Sequence, residues 1–269
     1  MADYLYDGTF EGFLTCVFDH YYKEKASGIY RREAYQVSIL SVYRVVATEE
    51  KKAEKVYKAI EEKISAADLR RIYRVFLSSD SEKEDKLLRY IRLGFKEGSA
   101  ISLLHSNPVV LAVQQCENKV MVEMHRMLGL IRFSALKRVN RGMNGQAEHG
   151  PGHGQMNVRI KEPEILYSRI EPDHDILELV AGHFSDRLKN DPFIIHDKKR
   201  NKAVFAQNGN WYISPLSGEE LSSLKESEAE YRDLWKKYFE SITIRERINP
   251  GCQKRFMPVR YWKNLPEIR

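Results

Sequence analysis

A chain of 269 residues that is 42% hydrophobic and 30% charged, with a formal net charge of +6, holds enough apolar material for a sizeable core and too much for a disordered protein. Its longest unbroken apolar stretch, residues 109–113, is far short of the roughly 20 residues that cross a bilayer. The acidic start at Asp3 and Asp7 lacks the basic-then-apolar pattern of a secretory leader, so a cytoplasmic protein without a membrane partner is expected.

Along the chain, Tyr4-Leu-Tyr-Asp-Gly8 reads as a short strand and turn, and Thr9 as the N-cap of a helix. Phe10, Phe13, Leu14, Val17, Phe18 and Tyr21 then recur at helical spacing. The same period predicts helices over residues 49–64, 66–77 behind Ser65, and 82–95, where Ser81 with Glu84 three later forms a capping-box signature. Asn107-Pro108 opens a long helix through Met124 and Leu128, on which His125 reads as half-buried.

Residues 130–133 and 164–169 read as neighbouring strands, separated by residues 140–157, a glycine-rich stretch expected to be a mobile loop. Pro172 is expected to open a helix whose apolar stripe includes Val180, Phe184 and His183, the last as a core histidine. Strands over 193–196, 202–207 and 210–214 follow, the last two joined by the hairpin signal Asn208-Gly209. A final helix carries Tyr231, Leu234, Trp235, Tyr238, Phe239 and Ile242 and is broken at Asn249-Pro250-Gly251. The sum is α+β: a mostly helical N-terminal part (1–115), then a small, mostly antiparallel sheet with packed helices, a C-terminal helix and an extended basic tail (116–269), in two parts or one continuous domain.

Charge is distributed unevenly along this plan. Residues 241–269 hold Arg245, Arg247, Lys254, Arg255, Arg260, Lys263 and Arg269 against only Glu246 and Glu267, which is nearly the whole net excess. Phe256, Tyr261 and Trp262 are interleaved with them. Arginines grip phosphates through forked hydrogen bonds and aromatic faces stack on unstacked bases, so this segment suits a nucleic acid. A structural clasp, with its aromatics packed on the body and Pro258 and Pro266 stiffening an extended strap, fits the same residues.

Elsewhere, His174, Asp175, His183, Asp186, Arg187, His196 and Asp197 crowd into a short stretch and are candidates for acid-base or metal-assisted chemistry. The plainer reading makes His183 a core residue, Asp175 a helix first-turn acid and Asp197 a turn residue. The chain contains neither a phosphate-binding Gly-rich loop ending in Lys-Ser or Lys-Thr nor a Gly-x-Ser-x-Gly elbow. Cys16, Cys116 and Cys252 are too widely spaced for a disulfide framework or a clustered metal site.

Several strings taken together are Tyr4-Leu-Tyr-Asp-Gly-Thr-Phe-Glu-Gly-Phe-Leu-Thr15, Val122-Glu-Met-His125, Leu130-Ile-Arg-Phe133, Ile170-Glu-Pro-Asp-His-Asp-Ile176, His183-Phe184, Asp186-Arg187 and Ile195-His-Asp197. Leu234-Trp-Lys-Lys-Tyr-Phe239, Glu246-Arg247, Asn249-Pro250 and Met257-Pro-Val-Arg-Tyr-Trp-Lys263 complete them. This set, spanning almost the whole chain, resembles a bacterial family of unknown function linked to DNA metabolism and DNA repair. Its genes stand beside a radical-SAM protein, and some relatives are fused to a uracil-DNA-glycosylase-like domain. Residues 140–157 look longer than the family's usual connection.

The resemblance implies a DNA-linked role, with the iron-sulfur cluster and SAM held by the partner and no cofactor or metal in this chain, but it carries over no catalytic residues. The expected function is therefore a DNA-binding accessory protein, acting on single-stranded or damaged DNA with a radical-SAM partner. In it Arg245, Arg247, Lys254, Arg255, Arg260 and Lys263 meet phosphate and Tyr261 and Trp262 stack on bases. The alternatives are an enzyme on DNA or nucleotides using His174, Asp175, His183, Arg187, His196 and Asp197, or a protein-interaction module whose tail docks on an acidic partner.

Overall fold

A computed structural model describes residues 1–37, 42–138, 165–216, 224–226 and 250–265. The protein is a mixed α+β fold that divides into two compact units, Met1–Glu123 with Asp173–Asp175, and Met124–Pro172 with Ile176–Arg269. The expected loop over 140–157, the helix carrying Tyr231 to Ile242, and Arg245 and Arg247 lie outside the described residues.

In the first unit, β1 (Ala2–Tyr6) leads through Gly8 into α1 (Phe10–Tyr22). Gly8 has φ +87°, a left-handed turn that disfavours any side chain, and Thr9 caps α1 by accepting a hydrogen bond from Gly12 N at 3.0 Å. Two further strands flank β1 in parallel, β2 (Ala26–Arg31) and β3 (Tyr43–Val45), giving the order β2-β1-β3. The front of the chain is mostly helical, as its periodicity predicts, but it also holds this parallel sheet, which the periodicity does not show. β3 is three residues long with every side chain exposed, so it carries no inward-outward alternation, and parallel pairing joins segments far apart in sequence.

The unit's further α-helices among the described residues are α2 (Glu50–Lys63), α3 (Ala66–Phe76), α4 (Lys83–Glu97) and the first part of α5 (Pro108–Leu130), with 3-10 turns over Arg32–Ala34 and Gly98–Leu103. Ser65 caps α3 through Asp68 N at 3.0 Å, and Asn107 Oδ1 accepts from Val109 N at the start of α5. The capping box expected at Ser81 is absent. Glu82 occupies the N-cap position with no capping bond from its side chain, which pairs with Lys86 at 3.3 Å instead, and its N–H goes to Asp80 Oδ1 at 2.9 Å.

A fully buried carboxylate ties three of the helices together. Asp68 accepts from Ser65 Oγ (2.6 Å), Tyr90 O–H (2.7 Å), Ser102 Oγ (2.7 Å) and Arg71 Nη1 (2.5 Å). Arg71 and Arg74 continue the network to Glu117, each at 2.9 Å. A buried charge with this many donors is stable only while all of them remain.

In the second unit α5 runs on to Leu130, so the strand expected over 130–133 begins only at β4 (Ser134–Arg138). β5 (Ile165–Ile170), α6 (Leu177–Arg187) and β6 (Phe193–Asp197) form a crossover joining two parallel strands. α6 starts five residues after Pro172, because residues 173–175 are drawn into loop contacts of the first unit instead: Asp173 N and His174 N donate to Glu123, and Asp175 N to Leu77 O.

β7 (Lys202–Gln207) and β8 (Asn210–Pro215) pair through the hairpin that Asn208-Gly209 predicts, with φ +53° and +76°. With β9 (Leu224–Glu226) the sheet order is β8-β7-β6-β5-β4-β9, antiparallel except between β5 and β6. Phe133 meets both Phe184 of α6 and Phe193 of β6 edge-on, at 5.3 and 5.7 Å, which places α6 on the sheet face that bears Phe193, Ile195 and Val204.

Candidate nucleic-acid interface

The described tail is short helix, not an extended strap. α7 (Pro250–Phe256) is followed by a 3-10 turn over Val259–Asn264. Pro250, read as a helix breaker, is the first helical residue, the position where a missing N–H costs nothing. Tyr261 is 2% exposed, accepts a 2.6 Å bond from Arg260 Nη2 and lies under that guanidinium at 4.7 Å. Trp262 is half-buried, its Nε1 donating to Met257 O at 2.8 Å, and Lys263 pairs with Glu171.

The expectation that Tyr261 presents a stacking face therefore gives way: its ring is turned inward and its hydroxyl engaged. Lys254, Arg255 and Arg260 are exposed. Between them stands Phe256, 63% exposed, with Val259 54% exposed beside it. A large apolar ring is thus left in water, in a segment whose neighbouring exposed residues are cationic. Its place at the end of a seven-residue helix, not its residue type, is what exposes it.

The same unit offers a second aromatic surface. Cross-strand register sets Tyr167, Ile194, Phe205 and Tyr212 in one row on the sheet face opposite α6. Phe205 and Tyr212 stack at 5.5 Å with an interplanar angle of 16°, and Tyr212 is 62% exposed. They line a groove of about 370 Å³ with Ile165, Pro192, Gln207 and Asn210, a lining without a charged side chain.

The histidine-aspartate candidates are divided between the two units. His174 and Asp175 belong to the first unit, where His174 Nδ1 accepts from Ser79 N at 3.0 Å. His183, expected in the core, is exposed on α6 with its ring edge-on to Phe184, as are Asp186 and Arg187, and His125 on α5 is likewise exposed and not half-buried. His196 is buried on the opposite sheet face, bonded to the Tyr167 hydroxyl at 3.0 Å, and burial pushes its imidazole below the usual histidine range. Asp197 serves its turn, accepting from Lys199 N and from Arg200 Nη1 at 2.7 Å. Among the described residues no group of three His, Cys, Asp or Glu side chains is placed to hold a metal ion.

Three clefts in the first unit adjoin one another at the carboxyl end of the parallel sheet. One of about 290 Å³ is lined by Tyr30, Arg31, Ala34, Ser78, Ser79, Asp80, Ser81, Lys83 and Glu84. A second of similar volume shares Tyr30, Ser81 and Glu84, and a third of about 360 Å³ shares Arg31 with Asp7, Gly8 and Arg32. Lys83 is 5% exposed and donates to Phe76 O (2.5 Å) and Ser78 O (2.9 Å) at the end of α3. Burial, then the positive charge of Arg31, pushes its ammonium down to about 8. Glu84, also buried, accepts from the Tyr6 hydroxyl at 2.7 Å, and the phenol is held well above its ordinary range by burial and by the charge of that carboxylate.

No helix among the described residues is long and apolar enough to cross a membrane. Residues 81–267, well over half of the chain, match the model of a domain of unknown function, DUF4130. No curated protein matches the chain, and no solved structure does.

Proposed function

We propose, from the premise that this chain belongs to the DUF4130 family, that it is a DNA-binding accessory protein of DNA metabolism or repair whose second unit holds the nucleic acid. The observation that carries this reading is the exposed set Lys254, Arg255, Phe256 and Arg260. Exposed cations close in sequence to an exposed ring can give a polyanion both charge and a stacking face. The uncharged groove beside the Phe205–Tyr212 stack supports the same reading, since it suits an unstacked base whose edges Gln207 and Asn210 can meet with amide donors and acceptors. The DNA-repair setting and the radical-SAM partner rest on the sequence resemblance alone. Dispersal of the histidine-aspartate group leaves the enzymatic alternative without a shared cleft in the second unit.

Lys254→Ala/Arg255→Ala tests the reading, because both side chains are exposed and their loss should leave folding intact. In titrations with short single-stranded DNA at two salt concentrations, the double variant should bind more weakly. Its log-log salt slope should be shallower by about 1.4 units, taking about 0.7 per lost single-strand phosphate contact. An unchanged affinity and slope would remove the tail from the interface. No DNA binding by the wild type, together with co-purification of a protein partner, would favour the interaction-module alternative.

A further inference from the structure

Arg31 from β2 and Lys83 from α4 stand over the same ring, Phe76, at 5.8 and 4.9 Å. They also line the same cleft of about 290 Å³. Lys83 is almost wholly out of water and the charge of Arg31 opposes its own, a cost that Glu84 and Asp175 offset only in part. The acids of the cleft are already engaged. Asp80 accepts both from Lys86, at 2.7 and 2.9 Å, and from Glu82 N, while Glu84 takes the Tyr6 hydroxyl and meets Arg31 only loosely, at 3.7 Å through Nε. Three serines, Ser78, Ser79 and Ser81, complete the polar lining.

We propose that this cleft is an oxyanion site that takes the phosphate of a phosphorylated ligand, with Arg31 and Lys83 as its charge partners and the Ser78 and Ser81 hydroxyls as further donors. Arg31 is the adjustable member: it is about half exposed, and its stem passes over Gly8, where a Cβ would lie 3.8 Å from Cδ. Lys83 is the fixed member, anchored on the two carbonyls that end α3. Tyr30 forms the wall next to the phosphate. Its ring leans over Gly28 so closely that a Cβ there would sit 2.5 Å from the hydroxyl, and it separates the two smaller clefts, giving a nucleoside a surface to lie against. The phosphate can come from a free nucleotide or from the 5′ end of a DNA strand.

This site lies in the first unit and does not rest on the tail reading. The experiment is calorimetric titration of the full chain with inorganic phosphate, thymidine 5′-monophosphate, and a short oligothymidylate with and without a 5′-phosphate. The expected result is binding of the phosphate-bearing probes, weakened about tenfold or more in Arg31→Gln and partly recovered in Arg31→Lys, as loss of a charge-assisted forked bond requires. The tail variant Lys254→Ala/Arg255→Ala should bind phosphate and the mononucleotide as the wild type does, so failure of one reading is distinguishable from failure of the other. A mononucleotide that binds much more tightly than phosphate marks the nucleotide as the source; a gain only with the 5′-phosphorylated strand marks the DNA end.

Wild-type affinity should also fall as pH rises from 7.5 to 9.5, because Lys83, facing Arg31, Glu84, Asp175 and Cys116, then gives up its proton. The proposal is overturned if no phosphate-bearing probe binds, if Arg31→Gln binds as tightly as wild type with an unchanged urea midpoint, or if affinity is flat across that pH range.

Discussion

Two sets of charged side chains in this protein do opposite work. Around Asp68 in the first unit, a carboxylate with no exposed surface is enclosed by two hydroxyl groups of serine, one of tyrosine and an arginine, and α3, α4 and the turn before α5 are fixed by satisfying it. In the described tail of the second unit, Lys254 and Arg255 stand in water. The difference teaches that charge supports a fold when it is buried with every partner in place, and stays available to a ligand when it is left exposed, where salt screens it and little stability depends on it.

The strongest way to break that contrast is Asp68→Ala, which removes the buried acceptor shared by Arg71 and three hydroxyl donors, leaves Arg71 only its outer partner Glu117 as a counter-charge, and should cost about 3 to 5 kcal/mol by urea unfolding. A loss under about 1 kcal/mol would mean that the helices pack without the hub. Acid titration sharpens the same point. Burial alone would raise the Asp68 carboxyl, but bonds from Ser65, Ser102 and Tyr90 and the charge of Arg71 hold it below the usual carboxylate range. Its contribution is therefore fully present above the ordinary aspartate pKa and lost as pH falls through the lowered folded value. Asp68→Asn should remove that component from the acid-unfolding curve.

Thr9→Ala, which deletes the cap of α1, should cost about 1 kcal/mol by the same measurement. Phe256→Ala closes the series: thermal stability should stay within about 0.5 kcal/mol of wild type, while single-stranded DNA affinity falls with little change in salt slope, since stacking and not charge is lost. A steep loss of stability would reassign Phe256 to the packing of the tail.

Helices were the legible part of this fold. Thr9, Ser65 and Asn107 sit where their side chains accept the first N–H groups of α1, α3 and α5, and Asn208-Gly209 makes its hairpin, because each of these signals acts within a few residues of itself. The three-stranded parallel sheet was not legible, since β3 has no buried side chain and finds β1 across α1 and β2. The cleft at Arg31, Lys83 and Glu84 escaped for the same reason: its members come from β2 and α4, and nothing in their spacing joins them. In the candidate interface, the exposure of Lys254, Arg255 and Arg260 follows from their charge, while the burial of Tyr261 is not legible in its residue type.

Sequence alone determined where the charge lies, where the helices of the first unit run and which family the strings resemble, because composition and local period are properties of contiguous residues. Only the tertiary structure decided which groups remain available. Tyr261 turned inward and Phe256 outward through one short helix and one 3-10 turn, and Lys83 lost its water to Phe76 and the end of α3. Exposure and desolvation depend on what packs against a side chain, and that is set by residues distant in the chain.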